Sequence, residues 1–244
     1  MIPKIIHYCW LSGDSFPEKI SYCINSWKKV LPDYELMLWD LNRFDLNKSA
    51  WVKQAYQEKK YAFAADYIRL YAVYNYGGIY LDSDVEVIKP FDDLLNLPYF
   101  IGYENENNGD LEAAIFGAEK GQKWVSDCLL YYNGRNFISE SGLDMTPLPS
   151  IMNRIIAQNS ERILSKFDFD PLSEKIQILP KTYFSPKNGT TGELTFLTAD
   201  TYTIHHYAAS WFPFSKRMYK LIYKLFGSHV ANSCSTLIKS LGVK

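Results

Sequence analysis

Residues 61–90, YAFAADYIRLYAVYNYGGIYLDSDVEVIKP, decide how this chain folds. Residues 61–76 are predicted to form a helix that stops at Gly77 and Gly78, because paired glycines readily terminate a helix. A short apolar strand follows at residues 79–81, and the acidic turn at residues 82–84 comes directly after it. A helix that leads through two glycines into a buried strand is typical of layered α/β proteins.

The segments on either side of this stretch alternate between strand-like and helix-like patterns. Further strands are predicted at residues 4–8, 34–39, 85–88, 99–103, 113–116, 176–179 and 202–207. Further helices are predicted at residues 17–30, 122–132, 149–158, 214–226 and 229–241. This alternation predicts an α/β fold in which helices flank a mostly parallel central sheet.

The domain organisation is predicted to be simple. No internal repeat, low-complexity run or linker rich in Ser, Gly or Pro divides the chain, so we expect one domain at residues 1–213. Residues 214–244 are expected to form a basic helical appendage at the C-terminus. Lys and Arg number 26 and Asp and Glu number 27, which excludes a protein that binds nucleic acid through overall charge.

The cysteines and the apolar segments indicate a cellular location. The 4 cysteines show no CxxC spacing, which favours free thiols and a reducing compartment. Residues 1–10 lack the pattern of a signal peptide, and no apolar run reaches the roughly 18 residues that a membrane span needs. We therefore expect a cytoplasmic protein that is soluble or peripheral on the inner face of the cell membrane.

The acidic turn carries the most informative side chains. Asp82 and Asp84 alternate on an extended turn after a buried strand, an arrangement that aims two carboxylates at one cation. Oxygen ligands suit Mg²⁺ or Mn²⁺, and a diphosphate is the natural additional ligand. A D-x-D triplet alone more often belongs to a solvated turn, but the preceding apolar strand makes the functional interpretation stronger.

Asp66 and Arg69 lie three residues apart and share one face of the predicted helix. One interpretation is a surface ion pair of little energetic value. The other places them at the edge of a polar pocket, because apolar residues surround them on the helix. There Asp66 accepts hydrogen bonds from sugar hydroxyls, and Arg69 binds a phosphate or orients Asp66.

The pattern around these four charged residues resembles a known family. Residues 64–69 (AADYIR) and 76–84 (YGGIYLDSD) are similar to the DXD-containing sugar-binding region of glycosyltransferase family 32, and the large clostridial glucosylating toxins share this core pattern. The opening IPKIIHYCW at residues 2–10, the residues SWKK and PDY at 26–34, and IHHYAASW at residues 204–211 also resemble the family. Residues 119–200 match it only weakly.

The resemblance implies a fold, a reaction and a set of site residues. The fold is a GT-A type single nucleotide-binding domain, and the reaction is metal-dependent sugar transfer with retention of configuration. The implied catalytic residues are Asp66, Arg69, Asp82 and Asp84. The implied donor-binding residues are Trp10, Asp66, Arg69, Tyr80, Asp82, Ser83, Ser210 and Trp211. The implied ligands for Mn²⁺ or Mg²⁺ are Asp82, Asp84, His205 and His206.

Several of these roles have alternatives. Trp10 either stacks on the base of the nucleotide or fills the core at the end of the first strand. Only one of His205 and His206 can face the metal, because neighbouring strand residues point in opposite directions. Trp211 either closes over the diphosphate with Ser210 or anchors the tail. Glu104 and Asn105 are candidates for acceptor binding, or they belong to a solvated loop.

The expected function is transfer of a hexose or N-acetylhexosamine to a glycan acceptor. UDP-galactose or a UDP-N-acetylhexosamine is the favoured donor, with GDP-mannose as the alternative. The favoured acceptor is a lipid-linked oligosaccharide in capsule, O-antigen or exopolysaccharide synthesis. The alternatives are a non-catalytic protein that binds nucleotide sugars or glycans and a toxin-like enzyme with a protein acceptor. A metal-dependent phosphohydrolase would need further clustered Asp and His ligands, which the sequence does not offer.

The C-terminal segment indicates a membrane partner. Residues 201–244 contain no Asp or Glu, while the rest of the chain is net acidic. In the predicted helix at residues 214–226, Met218, Leu221, Ile222 and Leu225 share one face and basic residues occupy much of the remainder. Such a helix suits an anionic membrane surface. The alternative is a helix that packs on the domain and exposes its lysines to water.

Overall fold

A five-stranded mixed sheet is the centre of the computed structural model, which describes residues 1–189, 191–195 and 197–208. The strands are β1 (Ile5–Cys9), β2 (Glu35–Trp39), β3 (Gly78–Leu81), β4 (Val85–Val87), β5 (Tyr99–Asn105), β6 (Asp110–Ala118), β7 (Ile138–Ser139), β8 (Gly142–Leu143), β9 (Ser160–Arg162), β10 (Ile176–Ile178) and β11 (Thr203–His205). The central sheet has the order β2-β1-β3-β6-β5. Strand β1 pairs in parallel with β2 and β3, whereas β6 is antiparallel to both β3 and β5.

Helices cover both faces of this sheet. The α-helices are α1 (Glu18–Val30), α2 (Ala50–Gln57), α3 (Tyr61–Tyr76), α4 (Lys123–Leu130) and α5 (Leu148–Ile156), and short 3₁₀ helices occupy Leu46–Lys48, Ala157–Asn159, Lys166–Asp168 and Lys181–Tyr183. The apolar residues of α1 pack on one face, and those of α2, α3, α4 and α5 pack on the other. Strand β3 contributes to both cores, because Ile79 and Leu81 point to the α1 side and Tyr80 to the α3 side. The predicted α/β fold with a mostly parallel central sheet is confirmed.

The turn between α3 and β3 requires both of its glycines. Gly77 has φ 67° and Gly78 has φ 106°, which are conformations that other residues rarely adopt. A Cβ atom on Gly78 would lie 2.8 Å from the carbonyl oxygen of Ile5, so a side chain would also clash with β1. The chain therefore passes from the helix directly into the central strand, as the sequence predicts.

A hydrogen bond from His7 on β1 holds this turn against the sheet. Its side chain is fully buried on β1, and its Nε2 lies 2.7 Å from the carbonyl oxygen of Gly77. The indole N–H of Trp39 donates to Nδ1 of His7 over 3.1 Å. Nδ1 accepts a hydrogen bond, so the ring is neutral and carries its proton on Nε2. Burial lowers the pKa of His7 to about 4, although the contact with Gly77 opposes this effect.

The predicted elements and the structure agree in type and differ at their ends. Each predicted strand is present, and the helix predicted at residues 61–76 coincides with α3. The sequence analysis missed α2, whose start is marked by Ser49, since the Ser49 side chain accepts a hydrogen bond from the N–H of Val52. It also missed β7, β8 and β9, which are too short for an alternating pattern to emerge.

The C-terminal predictions are only partly covered by the structure. Strands β4 and β11 form a separate two-stranded ribbon rather than joining the central sheet. The helices predicted at residues 214–226 and 229–241, and the predicted donor-binding residues Ser210 and Trp211, lie outside the described residues. Within the described part of the chain, no helix is both long enough and apolar enough to cross a membrane.

We expect His7 to make the stability of the fold depend on pH. The pKa of His7 is about 4 in the folded state and 6.5 without the fold, so the unfolded state binds more protons between these values. The stabilisation is present above pH 6.5 and falls by about 3 kcal/mol between pH 7 and pH 4. Urea unfolding of the natural protein and of His7→Gln checks this, because the stability difference between the two proteins should shrink by that amount. A difference that is equal at both pH values would contradict the prediction.

Candidate active site

Three potential metal ligands meet where β3 ends. Asp82 follows β3 directly, and Asp84 lies on the turn into β4. Strand β11 pairs antiparallel with β4 so that His205 is opposite Val85, which brings His205 beside the turn. Ligand atoms of Asp82, Asp84 and His205 lie within 4.8 Å of one another. Two carboxylates and one imidazole suit Mn²⁺, and the carboxylates also suit Mg²⁺.

Asp84 is held in place by the C-terminal segment. Its Oδ2 accepts a hydrogen bond from the backbone N–H of Ala208 over 2.7 Å, and its Oδ1 lies 3.5 Å from Nε2 of His205. Burial alone would raise the pKa of Asp84, but His205 and the N–H of Ala208 together lower it to about 2. Asp84 is therefore an anion throughout the physiological pH range.

Asp82 is held from the opposite side by Arg69 and Tyr80. The hydroxyl of Tyr80 donates to Oδ1 of Asp82 over 2.7 Å, and Nη2 of Arg69 lies 3.2 Å from the same oxygen. The guanidinium of Arg69 stands 4.6 Å from the centre of the Tyr80 ring. Burial raises the pKa of Asp82, and the charge of Arg69 opposes this increase.

Asp66 and Arg69 form a buried ion pair rather than a surface pair. Their exposed fractions are 7% and 6%, and Nη2 of Arg69 lies 3.1 Å from Oδ1 of Asp66. The second oxygen of Asp66 accepts the backbone N–H of Leu148 at the start of α5. Burial raises the pKa of Asp66 to about 6, while Arg69 and this N–H act in the opposite direction. Arg69 thus links the buried carboxylate of Asp66 to Asp82 at the end of β3.

The two adjacent histidines face different partners. His205 joins Asp82 and Asp84, whereas Nε2 of His206 lies 2.8 Å from a carboxylate oxygen of Glu86. Nδ1 of His206 lies 3.4 Å from Nζ of Lys187. Of the two, the structure places only His205 where it can bind a cation with the two aspartates.

Behind His205 lies a buried polar cluster that the sequence analysis missed. Glu112 on β6 is 1% exposed, and its Oε2 lies 3.6 Å from Nδ1 of His205. Ser185 donates a hydrogen bond to Glu112, and the ring of Tyr207 stacks on His205 with 3.9 Å between ring centres. The available signal was a single charged residue inside the otherwise apolar run at residues 111–118. An acid in such a strand requires buried partners.

The predicted acceptor residues occupy two environments. Glu104 lies beside this cluster and shares a hydrogen bond with Tyr207. Burial raises the pKa of Glu104 to about 7, and the nearby charge of Glu112 adds to the increase. The side chain of Asn105 accepts the backbone N–H of Asn107, so it shapes the turn between β5 and β6. Acceptor binding by either residue stays a prediction.

Trp10 follows β1 at the same edge of the sheet. Its indole N–H donates to the carbonyl oxygen of Asp14, and its ring meets Phe16 edge to face. The half-buried ring also lines a cavity of about 140 Å³ together with Asp40 and Tyr56. Because β1 and β3 are parallel neighbours, this cavity opens at the same sheet edge as the aspartates.

The remaining predicted donor-binding residues are Tyr80 and Ser83. Tyr80 is 1% exposed, so its contribution at the surface is limited to orienting Asp82 through its hydroxyl. Ser83 is half-buried between the two aspartates. Its contact with a donor stays a prediction.

Comparison with known families identifies the segment that carries these residues. Residues 17–101 match the family described as the glycosyltransferase sugar-binding region containing the DXD motif. The segment includes Asp66, Arg69, Asp82 and Asp84. The resemblance predicted from the sequence is therefore confirmed.

Curated relatives share this part of the chain. Inositol phosphoceramide mannosyltransferase 3 of Schizosaccharomyces pombe is 36% identical over 128 residues, which cover 51% of this chain and 35% of the relative. A mannosyl phosphorylinositol ceramide synthase of Saccharomyces cerevisiae is 32% identical over 105 residues, covering 41% of this chain and 27% of the relative. The chain thus spans about a third of the length of the curated relatives that it matches.

Solved structures with some similarity are also glycosyltransferases. The PaToxG glycosyltransferase is 22% identical with a TM-score of 0.47, and the match covers 64% of this chain and 68% of that one. The galactosyltransferase LgtC, in complex with donor and acceptor sugar analogues, is 11% identical with a TM-score of 0.41 and matches 83% of this chain and 86% of its own.

The cation site leads to a direct binding prediction. Asp84→Ala removes one of three potential ligands and one negative charge, so Mn²⁺ binding should be lost at concentrations that saturate the natural protein. Isothermal titration with MnCl₂ measures the change. Glu35→Ala is the matched control, since Glu35 is an exposed carboxylate at the amino end of β2. Equal Mn²⁺ affinity in the Asp84→Ala and Glu35→Ala proteins would exclude the site.

Proposed function

We propose that this protein is a metal-dependent, retaining glycosyltransferase that uses a nucleotide diphosphate sugar. The observation that carries the proposal is the meeting of Asp82, Asp84 and His205 beside the buried pair of Asp66 and Arg69. The confirmed DXD family region supplies four of these residues. In α/β proteins ligands usually bind beyond the carboxyl ends of the strands, which is where this cluster lies.

Different side chains of the site bind different parts of the donor. A bound Mn²⁺ or Mg²⁺, held by Asp82, Asp84 and His205, would stabilise the negative charge that develops on the leaving diphosphate. Arg69 keeps the carboxylates of Asp66 and Asp82 fixed, because it lies close to both and also donates to the carbonyl oxygen of Ala113. Asp66 retains lone pairs that accept hydrogen bonds from hydroxyls of the donor sugar. The indole ring of Trp10, at the same edge of the sheet, stacks on the base of the nucleotide.

The donor sugar is proposed from the relatives. The names of the relatives above specify mannosyl transfer, which supports mannose as the transferred sugar. GDP-mannose, the alternative in the sequence analysis, therefore joins UDP-galactose and UDP-N-acetylhexosamines as a donor to test. Retention of configuration is part of the proposal through the family resemblance.

The acceptor is proposed to be a lipid-linked glycan or glycolipid. One relative is named for acting on inositol phosphoceramide, which is a lipid that carries a polar head group. A lipid acceptor agrees with the basic C-terminal sequence, because the site must then work near a bilayer. We place the protein at the inner face of the cell membrane, with residues 1–213 as the catalytic domain and residues 214–244 as its membrane-binding appendage. Synthesis of capsule, O-antigen or exopolysaccharide is the proposed context.

A panel of nucleotide sugars tests the proposed activity. With Mn²⁺ present, one member of the panel should be hydrolysed slowly to free sugar and nucleotide diphosphate, as measured by chromatography. EDTA or Asp84→Ala should lower this rate by about two to three orders of magnitude, the range expected when a cation no longer stabilises the leaving group. Asp127→Asn is the control, because this carboxylate on α4 pairs with Lys123 and with none of the site residues, and the variant should hydrolyse the donor at the natural rate.

Two results of this panel would contradict the proposal. Full hydrolysis in EDTA would exclude the metal-dependent mechanism. Tight binding of a nucleotide sugar without turnover in any acceptor or donor assay would instead support a non-catalytic binding protein.

The membrane proposal has its own test. The full chain should co-sediment with vesicles that contain phosphatidylserine, because each Lys or Arg near an anionic surface contributes about 1 kcal/mol. High salt should release it, since salt screens these charges. A chain truncated after Pro213 should stay in the supernatant yet hydrolyse the soluble donor. Failure of the full chain to bind at low salt would favour a soluble acceptor.

A further inference from the structure

Glu112 is a buried charge that the proposed reaction does not use directly. It lies on β6, inside the sheet, and its neighbours Leu111, Ala113 and Ala114 are buried apolar residues. A carboxylate in such a place is costly unless it is paired or hydrogen-bonded. Its position therefore calls for a set of donors that offset the loss of water.

Two of these donors anchor Glu112 within the fold. Its Oε1 accepts the backbone N–H of Ala114 over 2.8 Å. Its Oε2 accepts the hydroxyl of Ser185. Both contacts leave Oε2 with a lone pair on the side that faces His205, whose Nδ1 is 3.6 Å away.

His205 presents its two ring nitrogens to opposite partners. Nε2 faces the cation site, 3.5 Å from Asp84, while Nδ1 faces Glu112. Nδ1 is buried and lacks a hydrogen bond in the structure, although a shift of a few tenths of an ångström toward Glu112 would complete one. The ring of Tyr207 stacks on the imidazole of His205 with 3.9 Å between ring centres, which limits rotation of the imidazole.

We propose that Glu112 is the positioning residue of the cation site. Its carboxylate accepts a hydrogen bond from Nδ1–H of His205, and the lone pair on Nε2 of His205 then points to the cation position shared with Asp82 and Asp84. A neutral imidazole offers a lone pair on one nitrogen and a proton on the other, so the acceptor at Nδ1 decides which nitrogen binds the metal. Such partners of a histidine ligand typically change metal affinity 10- to 100-fold when they are removed. The inference rests on the proposed metal-dependent function.

The test uses Mn²⁺ alone as the probe, without donor or acceptor. Glu112→Gln should weaken Mn²⁺ binding at least about 10-fold in a titration followed by electron paramagnetic resonance. The nitrogen modulation that marks imidazole bound to Mn²⁺ should also decrease in spin-echo spectra. Glu35→Gln is the matched control, because it makes the same exchange at an exposed carboxylate on β2 that has no part in the cluster around His205. It should keep the Mn²⁺ affinity within about twofold and retain the nitrogen signal.

A double-mutant cycle shows whether Glu112 acts through His205. In a His205→Ala background, Glu112→Gln should have no further effect on Mn²⁺ affinity. If Glu112→Gln does not fold, Glu112→Asp replaces it, since the shorter side chain withdraws the carboxylate from the imidazole while keeping the charge. An unchanged nitrogen signal and affinity in the folded variant would overturn the positioning role. A natural protein that does not bind Mn²⁺ at all would instead refute the proposed metal site.

Discussion

The guanidinium of Arg69 makes the contact on which the arrangement of the site depends. It lies within about 3.2 Å of carboxylate oxygens of both Asp66 and Asp82, and it donates to a backbone carbonyl of β6. One cation thereby joins α3, the end of β3 and β6. Without it, the buried carboxylate of Asp66 would lose its charged partner, which typically costs about 3–5 kcal/mol. The apolar helix α3 can carry both Asp66 and Arg69 because their opposite charges offset each other.

The second half of the site depends on a different contact, the ribbon formed by β4 and β11. Its register places His205 opposite the residue that follows Asp84. The backbone of Ala208 then binds the Asp84 carboxylate, so one aspartate is fixed by the sheet and the other by the ribbon. The geometry of the carboxylate pair thus reflects how the ribbon packs against the central sheet. The three potential ligands are therefore close together although His205 lies far from the two aspartates in the sequence.

Much of the fold follows from local sequence patterns. Helix α3, the two glycines after it and strand β3 are each specified by adjacent residues, so their prediction needs no tertiary information. The choice between His205 and His206 could not be made in this way, because it depends on the pairing of β11 with β4. The burial of Asp66 likewise depends on tertiary structure, since Leu148 at the start of α5 donates its backbone N–H to the Asp66 carboxylate.

Glu112 illustrates a second limit of prediction from sequence. A single acid in an apolar strand can belong to an edge, a bulge or a buried cluster, and only the tertiary structure shows which partners surround it. Ser185 and His205 come from distant parts of the chain, so no spacing rule connects them to Glu112. The charged residues near the acidic turn were identifiable because they fall within one continuous segment.

The separation of Asp84 from its C-terminal partners has a consequence for biosynthesis. The residue whose N–H binds Asp84 lies 124 positions later in the chain. A ribosome exposes the acidic turn and the central strands long before the residues that complete the candidate cation site. The three potential ligands can therefore be brought together only after translation has passed β11.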